Sequence, residues 1–170
     1  MRTLLEDGDE VTITATAPAS SGSRIALGEV SGPDPASRGA PMTTVYEFTP
    51  RYFEVDMQGV MFNSWYLGYV DEAMNHFIDA RGVPYARWQE LGVDAHLAHA
   101  DLDWKVGIGF GDRVQVPVRT TRIGTKSFTL EFEFRRGEEV ACAVSVVYVI
   151  VATDGSGTTA IPPEIVTAIS

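Results

Sequence analysis

Cysteine is almost missing from this chain. Cys142 stands alone in 170 residues, so no internal disulfide can form and no paired-thiolate metal site can be built. Histidine is nearly as scarce. His76, His96 and His99 show no His-Glu-x-x-His spacing, and in a regular strand the last two, three residues apart, face opposite sides. No metal is assigned and no cofactor is called for. There is no run of 18 apolar residues, so no transmembrane helix is expected. The N-terminus lacks the apolar core of a signal peptide, and cytoplasmic placement is the default expectation. No Gly-x-Ser-x-Gly elbow appears, which leaves an α/β-hydrolase nucleophile without support, and no phosphate-binding loop motif is present. Positive charge is short as well: 13 Lys and Arg against 23 Asp and Glu give a net charge of −10. That balance argues against general nucleic-acid binding.

The cations that do occur are unevenly placed. Of the ten after Pro41, six lie between Arg113 and Arg136: Arg113, Arg119, Arg122, Lys126, Arg135 and Arg136. They read either as solvated strand faces or as a local site for an anionic ligand. Hydrophobic residues make up 45% of the chain, enough to bury the core of one domain.

Residues 1–41 differ in character from the rest. Ala17 to Pro41 is rich in Ala, Ser, Gly and Pro, the composition of a loop or disordered segment. Asp9–Thr16 and Arg24–Val30 alternate as short strands. Leu4-Leu5-Glu6-Asp7-Gly8-Asp9-Glu10-Val11 and Leu27-Gly28-Glu29-Val30-Ser31-Gly32 resemble the C-terminal edge of the fumarylacetoacetate hydrolase family, a piece too short to complete that fold. Met42 is a plausible natural start. Residues 1–41 are therefore expected to be an extension, flexible or joined by a mis-called start, ahead of a domain at 42–170.

From Thr43 the periodicities are cleaner. Tyr46 to Val55 reads as a first strand. Trp65, Tyr66, Tyr69, Val70, Ala73, Met74, Phe77 and Ile78 recur at helical spacing, predicting a helix from about Asn63 to Arg81 that Gly82 and Pro84 terminate. Pro84 to Leu91 suggests a short second helix. Strands are expected at about Asp94–Val106, Arg113–Ile123, Ser127–Arg135 and Val140–Ala152. In the third of these, Phe128, Leu130, Phe132 and Phe134 share one face. A strand, a long helix and several antiparallel strands make an α+β domain.

The most informative residue is Asp56, within Glu54-Val55-Asp56-Met57-Gln58-Gly59-Val60-Met61-Phe62. A carboxylate, a glycine three residues on and a helix start can together supply a nucleophile or base, a close backbone approach and N–H donors for an oxyanion. The bland reading is an Asp that caps or turns. This segment, with Tyr66 and Tyr69 following, resembles the hotdog-fold acyl-CoA thioesterases, in particular the 4-hydroxybenzoyl-CoA thioesterase family. Later matches are Phe110-Gly111-Asp112, Ile123-Gly124-Thr125-Lys126-Ser127-Phe128 and Ile161-Pro162-Pro163, so the resemblance spans about 44–169.

The resemblance implies a hotdog fold, a curved antiparallel sheet around a long central helix. It implies cofactor-free hydrolysis of an acyl-CoA thioester, with Asp56 as nucleophile or general base and a backbone N–H near Asn63 as oxyanion donor. Gly59 serves close approach or a tight turn; Asn63 and Ser64 are also good helix caps. Phe62 and Tyr66 are candidates for an acyl pocket, beside a core role. Lys126 falls at a position that contacts coenzyme A phosphate, with Arg122 and Ser127 as supporting candidates, because Gly124 and Thr125 replace neighbouring basic residues of the family. Asp71 and Glu72 are rival carboxylates on the helix. A homodimer or homotetramer is expected, with no membrane partner. An acyl-carrier-protein thioester as substrate, or a non-catalytic acyl-CoA-binding role, are the alternatives. A hydratase would need an Asp/His pair, and no His follows Asp56 closely.

Overall fold

The computed structural model describes residues 44–170; the extension and its hydrolase-like fragment lie outside the described residues. The elements run β1 (Thr44–Phe48), α1 (Trp65–Asp79), α2 (Tyr85–Glu90), β2 (Val93–Trp104), β3 (Val114–Ile123), β4 (Ser127–Arg136), β5 (Glu139–Ala152) and α3 (Pro163–Ile169). The strands form one antiparallel sheet in the order β1-β3-β4-β5-β2. This is the α+β hotdog architecture.

The alternation in β4 decides its two faces. Phe128, Leu130, Phe132 and Phe134 are buried, each contributing about 1.5–3 kcal/mol by leaving water. They join Val144, Val146, Tyr148 and Ile150 of β5 and Val114, Val116 and Val118 of β3 in a single core. Helix α1 covers this face with Tyr66, Tyr69, Val70, Ala73, Met74, Phe77 and Ile78.

Three features depart from the sequence pattern. The first strand stops at Phe48, not Val55. Pro50 has no N–H to donate, and Tyr52–Glu54 winds into a 3-10 turn that the Glu54 carboxylate closes by accepting the Arg51 N–H at 2.7 Å. Strand β2 carries a bulge between Leu97 and His99. The extra residue puts His96 opposite Val149 and His99 opposite Val147, so the two histidines share a sheet face instead of opposing each other. Finally, α3 was not expected. Pro163 in its first turn, Glu164 beside it and buried Ile165 and Ile169 at i,i+4 account for it.

Candidate functional site

Asp56 sits at the tip of a short hairpin, not at a strand end. Val55 and Met61 bridge, the Asp56 N–H donates to the Val60 carbonyl at 2.9 Å, and the Gly59 N–H donates to the Asp56 carbonyl at 3.0 Å. This is a three-residue loop closed by a glycine bulge. Gly59 has φ +78°, and a Cβ there would meet nothing within 4 Å. In one chain the turn conformation, rather than crowding, therefore demands glycine. Asp56 Oδ1 accepts the Gln58 N–H at 2.8 Å, which fixes the carboxylate in an Asx turn. The turn occupies only one carboxylate oxygen and leaves the other without a hydrogen-bond partner among the described residues.

The hairpin runs straight into α1. Trp65 N–H donates to the Phe62 carbonyl at 3.0 Å and Tyr66 N–H to the Asn63 carbonyl at 3.4 Å. The Asn63 and Ser64 N–H groups find no acceptor among the described residues. The Ser64 side chain, at the cap position, makes no capping bond, so the anticipated side-chain capping does not occur. Two backbone donors thus stand at the positive end of a 15-residue helix, directly after the hairpin that carries Asp56. Phe62, half exposed at 50%, flanks them, whereas Tyr66 is buried at 2% and packs on Phe134 and Trp104.

Behind the hairpin lies the loop from β2 to β3. Met61 N–H donates to the Ile108 carbonyl at 2.6 Å, and Val60 bridges Gly109. Asp112 Oδ2 accepts the Gly109 N–H at 2.7 Å, and Arg136 donates to the Gly107 carbonyl at 3.1 Å. The Phe110-Gly111-Asp112 motif thereby acquires a physical reason: it shapes the shelf on which the Asp56 hairpin rests.

Ion pairing divides the cationic cluster. Arg113 pairs with Glu47, Arg119 with Glu131, Arg135 with Glu133, and Arg136 with Asp112 and Glu139. Arg122 and Lys126 have no carboxylate partner among the described residues. Lys126 Nζ makes only long contacts, 3.3 and 3.4 Å, to Thr158, and Ser127 closes the hairpin turn by accepting the Gly124 N–H at 2.7 Å.

The fold does not bring these three to Asp56. Ser127 is level with Val149 and His96, while the Asp56 hairpin abuts the loop beyond Trp104. Eight residues of strand separate those levels, roughly 25 Å.

A second feature has no counterpart in the sequence patterns. A cleft of about 480 Å³ opens between α1, α2 and the start of β2, lined among others by Asp71, Asn75, Tyr85, Asp94 and Tyr148. The Tyr148 hydroxyl is buried without a hydrogen-bond partner. Burial, and then the charge of Glu72, raise the Asp71 carboxyl above its ordinary value. Both rival helix carboxylates, Asp71 and Glu72, keep solvent-exposed side chains, and Asp71 lines this cleft. Among the described residues no His, Cys, Asp and Glu cluster suits a metal, and no helix is long and apolar enough to cross a membrane.

One helix wrapped by a five-stranded antiparallel sheet, with a carboxylate hairpin at the helix start, defines a hotdog protein. Residues 51–169 match the model of the thioesterase-like superfamily, and the chain belongs to that superfamily. A curated relative from Aquifex aeolicus (strain VF5), provisionally named an esterase, is 25% identical over 91 residues, covering 54% of this chain and 71% of its own. Among solved structures, a gentisyl-coenzyme A thioesterase superposes with a TM-score of 0.65 at 24% identity, over 74% of this chain and 98% of its own. A 1,4-dihydroxy-2-naphthoyl-CoA thioesterase from Synechocystis gives 0.67 at 21% identity, over 74% and 94%.

Proposed function

We propose that the protein hydrolyses an acyl-CoA thioester to the free acid and coenzyme A, with Asp56 as the reacting carboxylate. The observation that carries this reading is that the hairpin bearing the half-buried Asp56 carboxylate runs straight into the unengaged Asn63 N–H at the start of α1. The thioester carbonyl would lie between them. Its oxygen would gain charge at the Asn63 N–H as the carbon is attacked, a donor whose loss typically costs about 3–4 kcal/mol of barrier. Two routes use the same geometry. In one, Asp56 attacks the carbonyl carbon, expels the thiolate and leaves an anhydride that water cleaves. In the other, Asp56 takes a proton from a water that attacks directly. Membership of the thioesterase-like superfamily supports thioester hydrolysis in general, and the named activities of the two solved neighbours support a coenzyme A ester.

The reading includes a dimer. Strand β2 is a 12-residue sheet edge, a row of unpaired backbone groups that calls for a partner. Antiparallel pairing of two β2 edges about a two-fold axis would set the start of one β2 beside the end of the other. Lys126 and Arg122 of one chain would then approach Asp56 of its partner. The gap of roughly 25 Å within one chain becomes an argument for a site shared by two, in which Lys126 and Arg122 take the phosphates and Ser127 lies beside them. Phe62 would line the acyl end, with Tyr66 buried behind it in the core.

The test is release of free thiol from aromatic, short-chain and long-chain acyl-CoA esters, with light scattering on the same sample. Turnover of at least one ester by a dimer or tetramer is expected. No release from any ester, or full activity from a monomer at micromolar concentration, would refute it.

A further inference from the structure

Glu54 is the one carboxylate fully buried among the described residues, at 2% exposure, and the chemistry above does not use it. Its Oε2 accepts two hydrogen bonds, from the Tyr69 hydroxyl at 2.5 Å and from the Arg51 N–H at 2.7 Å. Its own carbonyl accepts the Phe62 N–H at 2.8 Å. Tyr69 lies in α1, one turn after Trp65, and its ring stacks on Phe48 of β1 with centroids 3.5 Å apart. Glu54 therefore ties together the turn before the hairpin, the body of α1 and the residue immediately before Asn63. Asp56 follows it by two residues.

We propose that Glu54 is a positioning residue, which sets the separation between the Asp56 carboxylate and the Asn63 N–H through its bonds to Tyr69 and Arg51. The hairpin is held by its own backbone bonds, its Asx turn and its seat on the loop from β2 to β3. Those bonds fix Asp56 relative to Gly59 but not relative to the helix. Beside the edge contact of Phe53 with Trp65, the hydrogen-bonded connection to the helix runs through Glu54 twice, once by side chain to Tyr69 and once by carbonyl to Phe62. A buried carboxylate persists only where strong donors compensate its desolvation, and here both donors belong to segments that must keep register with the reacting groups. Glutamine at this place can still accept both hydrogen bonds on one oxygen; alanine can accept neither.

This inference rests on the reading of Asp56 and Asn63, so its test has one kinetic and one structural arm. In steady-state thiol release, Glu54→Ala is expected to lower kcat about 100-fold, the scale of an ångström of misplacement, with KM within about twofold. Glu54→Gln should restore kcat to within about threefold, and Tyr69→Phe, which keeps the ring and removes one donor, should fall between. In an Asp56→Asn background, Glu54→Ala should cost nothing further, because the group it positions is gone. Equal loss in both backgrounds, or a KM rise without a kcat loss, would overturn the proposal. The structural arm is amide hydrogen exchange in Tyr69→Phe, a variant that retains the core ring. The Gly59 and Phe62 amides should exchange about tenfold faster while the Ala73 amide is unchanged. Unchanged exchange at Gly59 and Phe62 would overturn the positioning role even if no thioester is hydrolysed. Faster exchange there in a protein without thiol release would sink the acyl-CoA reading and leave the brace standing.

Discussion

Gly107 shows how tightly single residues hold the Asp56 hairpin. A Cβ built on Gly107 would stand 2.5 Å from Val60 Cγ1, and Val60 has no flexible end that could swing away. Gly107→Ala should therefore push the hairpin off its shelf, costing about 1–3 kcal/mol and lowering turnover together; thermal melts and thiol release check both, and an unchanged melt would contradict the contact. Asp71 carries a different lesson. Its carboxyl is raised by partial burial first and by Glu72 second, so its charge opposes folding, but only weakly because the side chain stays exposed to screening solvent. A raised folded-state value contributes stability below the unfolded-state value and loses it as pH rises through the folded one. Asp71→Asn should then raise the melting temperature slightly at neutral pH, with the gain vanishing below about pH 3. A gain independent of pH would point to packing instead. Glu54 gave no comparable signal in sequence, because one acidic residue between aromatics looks like any solvent-facing strand position; only its bonds to Tyr69 and Arg51 distinguish it.

At the level of elements, legibility followed length and periodicity. The fifteen residues of α1 and the strict alternation of β4 place themselves, because each repeats one burial rule several times. The end of β1 did not, since Tyr52-Phe53 continues a strand-like composition while Pro50 and the Glu54 cap bend the backbone. The bulge at β2 escaped for a related reason: Ala95 to Ala100 has no alternation to break. Helix α3 is too short for a period to show. It nevertheless closes the core, with Ile165 at 0% exposure and Ile169 at 1%, and the Arg87 guanidinium holds Glu164 through two bonds of 2.9 and 2.8 Å. Ile165→Ala should cost about 2–5 kcal/mol in urea unfolding without altering KM. A negligible loss would mean that α3 is only appended to the core.

For the whole molecule, the sequence placed the two halves of the candidate site unequally. Asp56, Gly59, Phe62 and Asn63 were legible together because they are local in the chain. That Lys126, Arg122 and Ser127 lie at the far end of the sheet could not be read from spacing, since it depends on strand order. Nor could spacing tell Arg122 and Lys126 from the four neighbouring arginines that glutamates and Asp112 pair. With its partners counted, an acidic chain keeps few cations for a phosphate. Lys126→Ala should raise KM about fivefold for a coenzyme A thioester and leave the KM of a short pantetheine thioester unchanged. An equal effect on both esters, or none on either, would remove Lys126 from the site.

The most direct measurement is turnover and binding by Asp56→Asn. The carboxylate is replaced by a group of the same shape that can still accept the Gln58 N–H, so the hairpin keeps its form. The expected result is a dimer with an unchanged melting temperature and unchanged affinity for an acyl-CoA, and with turnover lower by about 10²- to 10⁴-fold. Near-normal thiol release from that variant would contradict the account.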